Sequence, residues 1–172
     1  MSTSHLICVL KTTLQQEHDL LCQLSDEQYA APGQGCYKSS VGMHIRHNLD
    51  HFAAFFHGLE SGRIDYESRE RNTLIEESTA TARGQIESFI EQLDNFATSA
   101  EHPLHIRQED GTPVEAATWL PSSSARELQF LLGHTVHHHA LIAMMIVQSG
   151  RELPAGFGVA PSTKRHQSKV SH

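Results

Sequence analysis

The sequence predicts an all-α fold, a four-helix bundle, from three observations. The chain has 172 residues, which fits one domain. Its 6 prolines leave three long stretches in which a helix loses no backbone hydrogen bond. Within these stretches apolar residues recur at spacings of mostly three and four, as in amphipathic helices. We therefore expect a bundle in residues 1–150 and an irregular tail in residues 151–172.

The first two helices are predicted over residues 4–24 and 40–60. Leucines at helical spacing form the apolar face of the first, and Ser25 with Gln28 then forms a capping-box pattern that opens a short turn. The second helix carries a mixed aliphatic and aromatic face, and Gly62 is placed to end it. The two helices therefore offer two apolar faces to a common core.

The third helix is predicted over residues 71–97, with a weaker apolar stripe. After it, residues 104–108 and 114–119 flank a Glu-Asp-Gly turn that ends at Gly111, which is typical of a small hairpin. The prediction thus allows one β-hairpin between the third and fourth helices.

The fourth helix has the clearest boundaries. Pro121 stands before it, Ser124 and Glu127 form a capping-box pattern, and Gly150 follows its last apolar residue. With this helix the prediction has four helices of about 20 residues each, which make a bundle.

Charge and composition exclude some functions. The chain has 13 Lys and Arg against 20 Asp and Glu, a net charge of −7, so the phosphate attraction of a nucleic-acid-binding protein is missing. The longest apolar run, residues 140–147, is much shorter than the roughly 20 residues of a membrane span. Cys8, Cys22 and Cys36 form neither a disulfide framework nor a Cys-rich zinc site. We expect a cytoplasmic protein without a nucleic-acid or membrane partner.

The chain has 14 histidines, more than its lysines and arginines together, and two of them indicate a metal site. His134 and His138 fall in the middle of the apolar stripe of the fourth helix. Two buried imidazoles one turn apart need partners, and a metal ion is favoured over a structural hydrogen bond. His137 is expected to lie to one side of the stripe and His139 to point away from it.

A third ligand is expected from the second helix, which carries His44, His47 and His51. Periodicity favours His51 or His44 for the core-facing position and places His47 at its edge, near Asp50. A solvated polar flank is an equally good explanation for each of these histidines singly.

These motifs resemble a known family. "HNLD" (residues 47–50) in the second helix and "HTVHH" (residues 134–138) in the fourth are similar to the motifs of DinB-like four-helix-bundle metalloproteins, which include bacterial thiol-dependent transferases. The resemblance implies His47, His134 and His138 as the metal ligands, with an Asp three residues after the first. His51 remains the alternative third ligand that periodicity favours.

Three neutral imidazoles leave a divalent ion with an open coordination position, as in catalytic zinc sites. A water or thiol bound there becomes a nucleophile near neutral pH. We expect zinc or nickel, with a low-molecular-weight thiol as a further candidate cosubstrate. Asp50 either orients an imidazole or moves a proton, or else forms an ion pair with Arg46.

Two functions follow. One is a metal-dependent enzyme that transfers a thiol to a small molecule or hydrolyses it. The alternative is a non-catalytic metal-binding or histidine-switched helical module, since a fold does not assign a reaction. A homodimer is compatible with either.

Overall fold

The computed structural model describes residues 3–33, 38–68, 72–96 and 103–160, together with residues 163 and 166. The described part is mostly helical, so the all-α prediction is right in outline, and a small three-stranded sheet is added to it. The elements are α1 Thr3–Leu21, α2 Asp26–Ala30, α3 Val41–Ser61, β1 Arg63–Ile64, α4 Thr73–Glu77, α5 Thr79–Asn95, β2 Pro103–Arg107, β3 Trp119–Ser123 and α6 Ser124–Gln148.

The four long helices share one core. α1 and α3 each pack against both α5 and α6. Their apolar stripes meet in a cluster that includes Leu10, Leu14, Phe52, Phe55 and Ile86, all fully buried. Burying such side chains is the main favourable term in folding. Because α6 lies against both α1 and α3, two of its flanks are buried.

α6 also has the length and apolar composition to cross a membrane. The core helix of a protein without a membrane meets the same two criteria. Its packing against α1 and α3 buries 39% of the apolar window.

The third predicted helix is wrong as one continuous element, because Ser78 divides it. This residue is extended (φ −125°, ψ 116°), its N–H donates to the Leu74 carbonyl, and its hydroxyl accepts from the N–H of Thr81. One serine thus ends α4 and begins α5, which a periodic stripe does not reveal. The predicted end residues 71 and 97 lie outside the described part of the chain.

The hairpin is present, but its second predicted strand is wrong. β2 pairs antiparallel with β3, which begins at Trp119, while Val114–Ala116 forms a turn of 3₁₀-helix. β1 pairs in parallel on the other side of β2 and was not predicted. β3 is an edge strand, and there Pro121 is tolerated because one row of N–H groups has no strand to pair with.

Most predicted helix ends are confirmed. Ser25 and Gln28 form a complete capping box, and Gly62 ends α3 with a φ of 72°. At α6 the prediction is wrong by one residue. Ser123 is the N-cap and accepts from the N–H of Arg126, while Glu127 turns into the core.

Two glycines let neighbouring backbone approach α3 at its two ends. A Cβ at Gly42 would lie 2.1 Å from the carbonyl oxygen of Glu76, and one at Gly58 would lie 2.6 Å from that of Arg63. Both contacts are closer than atoms can approach, and the partners are backbone atoms. α4 and β1 therefore pack on α3 at distances that only glycine allows.

We expect Gly42→Ala to lower the free energy of unfolding by about 1–3 kcal/mol, because α3 and α4 must separate to admit the methyl group. Gly84→Ala is the matched control, since a Cβ at this helical position meets nothing within 4 Å. That variant should be more stable by roughly 0.5–1 kcal/mol. Urea denaturation of both variants measures the difference, and an equal change in the two would contradict the close contact.

Candidate metal centre

Five imidazoles form a ladder between α3 and α6. Within α3 and within α6 the histidines are three or four residues apart, which puts them on one face of each helix. His44 on α3 contacts His138 on α6, and His47 contacts His134, so the two helices run antiparallel. The ladder consists of His44, His47, His51, His134 and His138.

One close nitrogen pair lies in the middle of the ladder. His47 Nε2 and His134 Nε2 are 3.2 Å apart. Two imidazoles bound at 2.0–2.1 Å to one tetrahedral ion would place their nitrogens roughly 3.3 Å apart. His134 Nδ1 is buried without a hydrogen-bond partner in the described part of the chain. The pair therefore has the separation that a shared ion requires.

His51 completes one group of three donors. Its potential ligand atom and those of His47 and His134 all lie within 4.8 Å of one another. Its Nδ1–H donates to the His47 carbonyl oxygen at 2.8 Å, which leaves the lone pair of the ring on Nε2. Its ring stacks on that of His134, with centroids 3.9 Å apart. His51 thus has the tautomer and the position of a ligand.

His138 adjoins the same pair from the other side. Its ring centroid lies 4.5 Å from that of His134 and 4.7 Å from that of His47. Its Nδ1 is 3.1 Å from His44 Nδ1, so Nε2 is the atom with which it would bind an ion. The rings of the three predicted ligands are therefore neighbours, but the group of donors within 4.8 Å of one another contains His51 and not His138. The choice of third ligand stays a prediction.

The burial of the α3 histidines follows their periodicity. His44 and His51 are buried and His47 is half-buried, as predicted, yet His47 also contacts α6, through its Nε2 at 3.2 Å from His134 Nε2. Asp50 accepts a hydrogen bond from Arg46 Nη1 at 3.1 Å, so the predicted ion pair is present. The side chains of Arg46 and Asp50 are 15% and 10% exposed, so the ion pair is partly buried and not a surface pair.

The ladder favours neutral imidazoles. Burial, and then the neighbouring His51, lowers the pKa of His134 to about 2. Burial, and then His47, lowers the pKa of His138 to about 3, and burial also lowers the pKa of His44. The neutral ring is the form that binds metals, so the site is ready to bind an ion at neutral pH.

These pKa shifts predict that the metal-free protein loses stability in acid. The unfolded chain protonates its histidines near pH 6.5, whereas native His134 and His138 stay neutral to about pH 3. The unfolded state therefore binds more protons as pH falls below about 6.5. We expect each residue to lower the free energy of unfolding by up to about 1.4 kcal/mol per pH unit in this window.

Urea denaturation of chelator-treated protein between pH 7.5 and pH 4.5 would measure this slope, because the midpoint of unfolding follows the free energy of unfolding at each pH. His134→Gln should make the slope shallower. The exposed His57 offers the control, since His57→Gln should leave it unchanged. A stability that is flat across this range would contradict the burial of neutral imidazoles.

His139 is buried, which the periodicity of α6 alone does not indicate. Its Nε2 donates to Glu17 Oε2 at 3.2 Å, and its ring stacks on Phe157 with centroids 4.4 Å apart. It points away from the ladder but toward α1, because α6 is covered on two flanks. Phe157 is thereby packed onto the helices from the segment after α6.

Glu17 is the centre of a buried polar network that joins three helices. Its Oε2 accepts from Asn48 Nδ2 at 3.0 Å as well as from His139, and Asn48 Oδ1 accepts from the Thr135 hydroxyl. Asn48 and Thr135 are the chain neighbours of His47 and His134. One feature of the sequence indicates this network. Glu17 lies on the leucine stripe of α1, between Leu14 and Leu21, so its carboxylate is expected to face the core.

A second buried carboxylate, Glu127, lies beyond the His51 end of the ladder. Glu127 Oε2 accepts from the Tyr66 hydroxyl at 2.9 Å, and its other oxygen accepts from Ser122. The Tyr66 ring stacks on His51, and Phe130 contacts both rings. Burial, and then the Glu127 charge, raises the pKa of Tyr66. Sequence reasoning missed the contact of Glu127 with Tyr66, because the spacing of Ser124 and Glu127 is also that of a capping box.

Comparison with known proteins gives one relative and one family. "FK506-binding protein 5" of Rhizopus delemar is 29% identical over 107 residues, which is 62% of this chain and 28% of that protein. The chain thus matches less than a third of that relative's length. The sequence model of the DinB family matches residues 1–160. With nearly the whole chain matched, the protein belongs to the DinB family.

Proposed function

We propose that this DinB-family protein is a four-helix bundle that holds one divalent ion at His47, His134 and His138, with His51 as the alternative third ligand. We further propose that it is a metal-dependent enzyme that transfers a thiol to a small molecule or hydrolyses it. The observation that carries the proposal is the 3.2 Å separation of His47 Nε2 and His134 Nε2 inside a group of imidazoles.

The donor chemistry fits zinc or nickel. Every candidate ligand is an imidazole, a borderline ligand that suits these ions and not magnesium or calcium. A bound divalent ion would supply the positive charge that makes a thiol or water nucleophilic near neutral pH. The exposed thiols Cys8 and Cys22 are free, which supports a reducing compartment such as the cytoplasm.

The residues around the ladder have roles of their own in this proposal. The His47 carbonyl fixes the tautomer of His51, and His44 contacts Nδ1 of His138. Such partners orient imidazoles and raise their basicity. Tyr66 and Phe130 cover the His51 side and exclude water there. The chain thus holds the donors in place from both ends of the ladder.

The non-catalytic module remains the second candidate, and one observation favours it. More imidazoles lie in the ladder than three ligands require. If His51 and His138 both bind, four protein nitrogens would fill a tetrahedral ion and leave no position for a thiol or water. The number of ligands therefore separates the two functions.

Cobalt substitution tests the proposal. With three protein ligands, Co(II)-loaded protein should gain a sulfur-to-metal charge-transfer band when a low-molecular-weight thiol is added. With an alkyl halide also present, the bound thiol should form its S–C bond and release halide faster than the same thiol does free in solution. His57→Ala is the control variant and should behave like the wild type. A spectrum that no thiol changes, together with four protein ligands, would establish the module instead.

A further inference from the structure

A cleft of about 510 Å³ lies beside the ladder, between the loop after α2, the start of α3 and the end of α6. Its volume falls in the range of small-molecule sites, roughly 300–1,000 Å³. Most of its lining is apolar, and thioethers contribute to it, which suits ligands of irregular shape. The apolar lining includes Leu24, Val41, Leu141, Met144, Met145 and Ile146.

One buried polar atom in the lining lacks a partner. His44 is 9% exposed and lines the cleft, and its Nδ1 is 3.1 Å from His138 Nδ1. Its Nε2 is buried and makes no hydrogen bond to any residue that the structure describes. A buried ring nitrogen without a hydrogen-bond partner is unfavourable. A ligand atom in the cleft that forms this hydrogen bond would offset the unfavourable free energy.

The contact with His138 sets which kind of atom would pair with His44. If His138 binds an ion through Nε2, its Nδ1 carries a hydrogen and donates to His44 Nδ1. His44 then carries its own hydrogen on Nε2 and offers a donor. The complementary ligand atom is an acceptor, such as a carbonyl oxygen. This step rests on the proposed metal site.

The charge of the lining indicates the other end of the ligand. Arg151 lines the cleft and is half-buried, and its guanidinium donates to the side chain of Gln28. Among the described residues of the lining, none is acidic. In a chain with a net charge of −7, the lining of this cleft therefore presents a cation to an anionic ligand, and Glu152, the next residue, lines the adjoining cavity instead.

We propose that the cleft binds a small organic acid with an apolar body, its carboxylate paired with Arg151 and a carbonyl oxygen facing His44 Nε2. The ligand would lie one imidazole away from the metal ligands, since His44 contacts His138 directly. That this acid is the substrate, and that His44 donates to its carbonyl, rest on the proposed function, whereas the pairing of its carboxylate with Arg151 does not.

Calorimetry with decanoate and decanol tests the charge, on both metal-free and zinc-loaded protein. Decanoate should bind about tenfold more tightly than decanol, the gain expected of a charged hydrogen bond. Arg151→Gln should remove this preference. Arg63→Gln, an exposed arginine on β1, is the matched control and should keep it. Equal binding of the two probes by the wild type would overturn the proposal.

The monomethyl esters of suberic, azelaic and sebacic acid test His44, because each has a carbonyl at the end opposite the carboxylate. At least one should bind several-fold more tightly than decanoate to the wild type, and His44→Phe should lose that gain while it still binds decanoate. If His44→Phe keeps the gain, the assignment of His44 is wrong.

Filling the cleft locates the binding. Leu141→Trp should abolish binding of every probe while circular dichroism shows an unchanged helix content, and a probe that still binds would place the site elsewhere. Elemental analysis of the same samples keeps the two proposals apart. Acid binding without a stoichiometric metal would remove the proposed function alone, and metal without acid binding would remove the cleft proposal alone.

Discussion

The His134→Ala, His138→Ala double variant should purify without metal, whereas the wild type should carry close to one divalent ion per chain. The double variant removes the whole contribution of α6 to the ladder and leaves only imidazoles of α3. Imidazoles of a single helix cannot surround an ion. Elemental analysis of protein purified without a tag measures this, and full metal content in the double variant would exclude the site.

Single variants of α3 then decide the third ligand. If the family motif holds, His47→Ala abolishes tight binding and His51→Ala only weakens it, by the roughly 10–100-fold that loss of a neighbouring residue costs. The opposite order would support periodicity and the three-donor group that contains His51. Competition with a chelator of known affinity separates these outcomes, and His57→Ala again controls for unspecific effects.

Glu17→Ala should be strongly destabilising, by about 3–5 kcal/mol in the free energy of unfolding. The carboxylate is fully buried and accepts from Asn48 and His139, so its removal leaves two buried donors unpaired and a cavity between three helices. Urea denaturation at pH 7.5 measures the loss.

The matched control for Glu17→Ala is Glu87→Ala. Glu87 is exposed, and its carboxylate lies 3.0 Å from Nε2 of His18 on α1. An exposed pair of this kind contributes about 0–1 kcal/mol. Glu17→Gln keeps an acceptor oxygen and should lie between the two. Similar losses for Glu17→Ala and Glu87→Ala would show that the network contributes little.

Much of the helical framework could be predicted because its signals are local. Ser25, Gly62 and the proline-free stretches fix helix ends through backbone hydrogen bonds that depend on a few neighbouring residues. The break at Ser78 could not be predicted, since a serine within a periodic stripe is compatible with a continuous helix. β3 was missed for a related reason, because an edge strand tolerates the proline and serines that elsewhere indicate a loop.

Some residues of the candidate site could likewise be predicted from local sequence, and others depend on distant partners. His134 and His138 stand out from a single helix, because two imidazoles on an apolar stripe need an explanation. The position of His139 depends on α6 having two covered flanks, which is a property of the assembled helices. The same holds for Glu127, whose partner Tyr66 lies 61 residues away in sequence. Partners that distant leave no local pattern.

The two glycine contacts of α3 have a consequence for the metal selectivity of the proposed site. Gly42 and Gly58 lie about 24 Å apart along the helix, and at each of them foreign backbone touches the helix directly. Backbone contacts near both ends of α3 oppose rotation of the helix about its axis and sliding along it. The histidines between the two contacts therefore keep fixed positions. Donors that cannot adjust accept ions of one radius and one geometry and reject the rest. Loosening either end, as Gly42→Ala should, would therefore broaden the range of metals bound before it weakens the binding of any one of them.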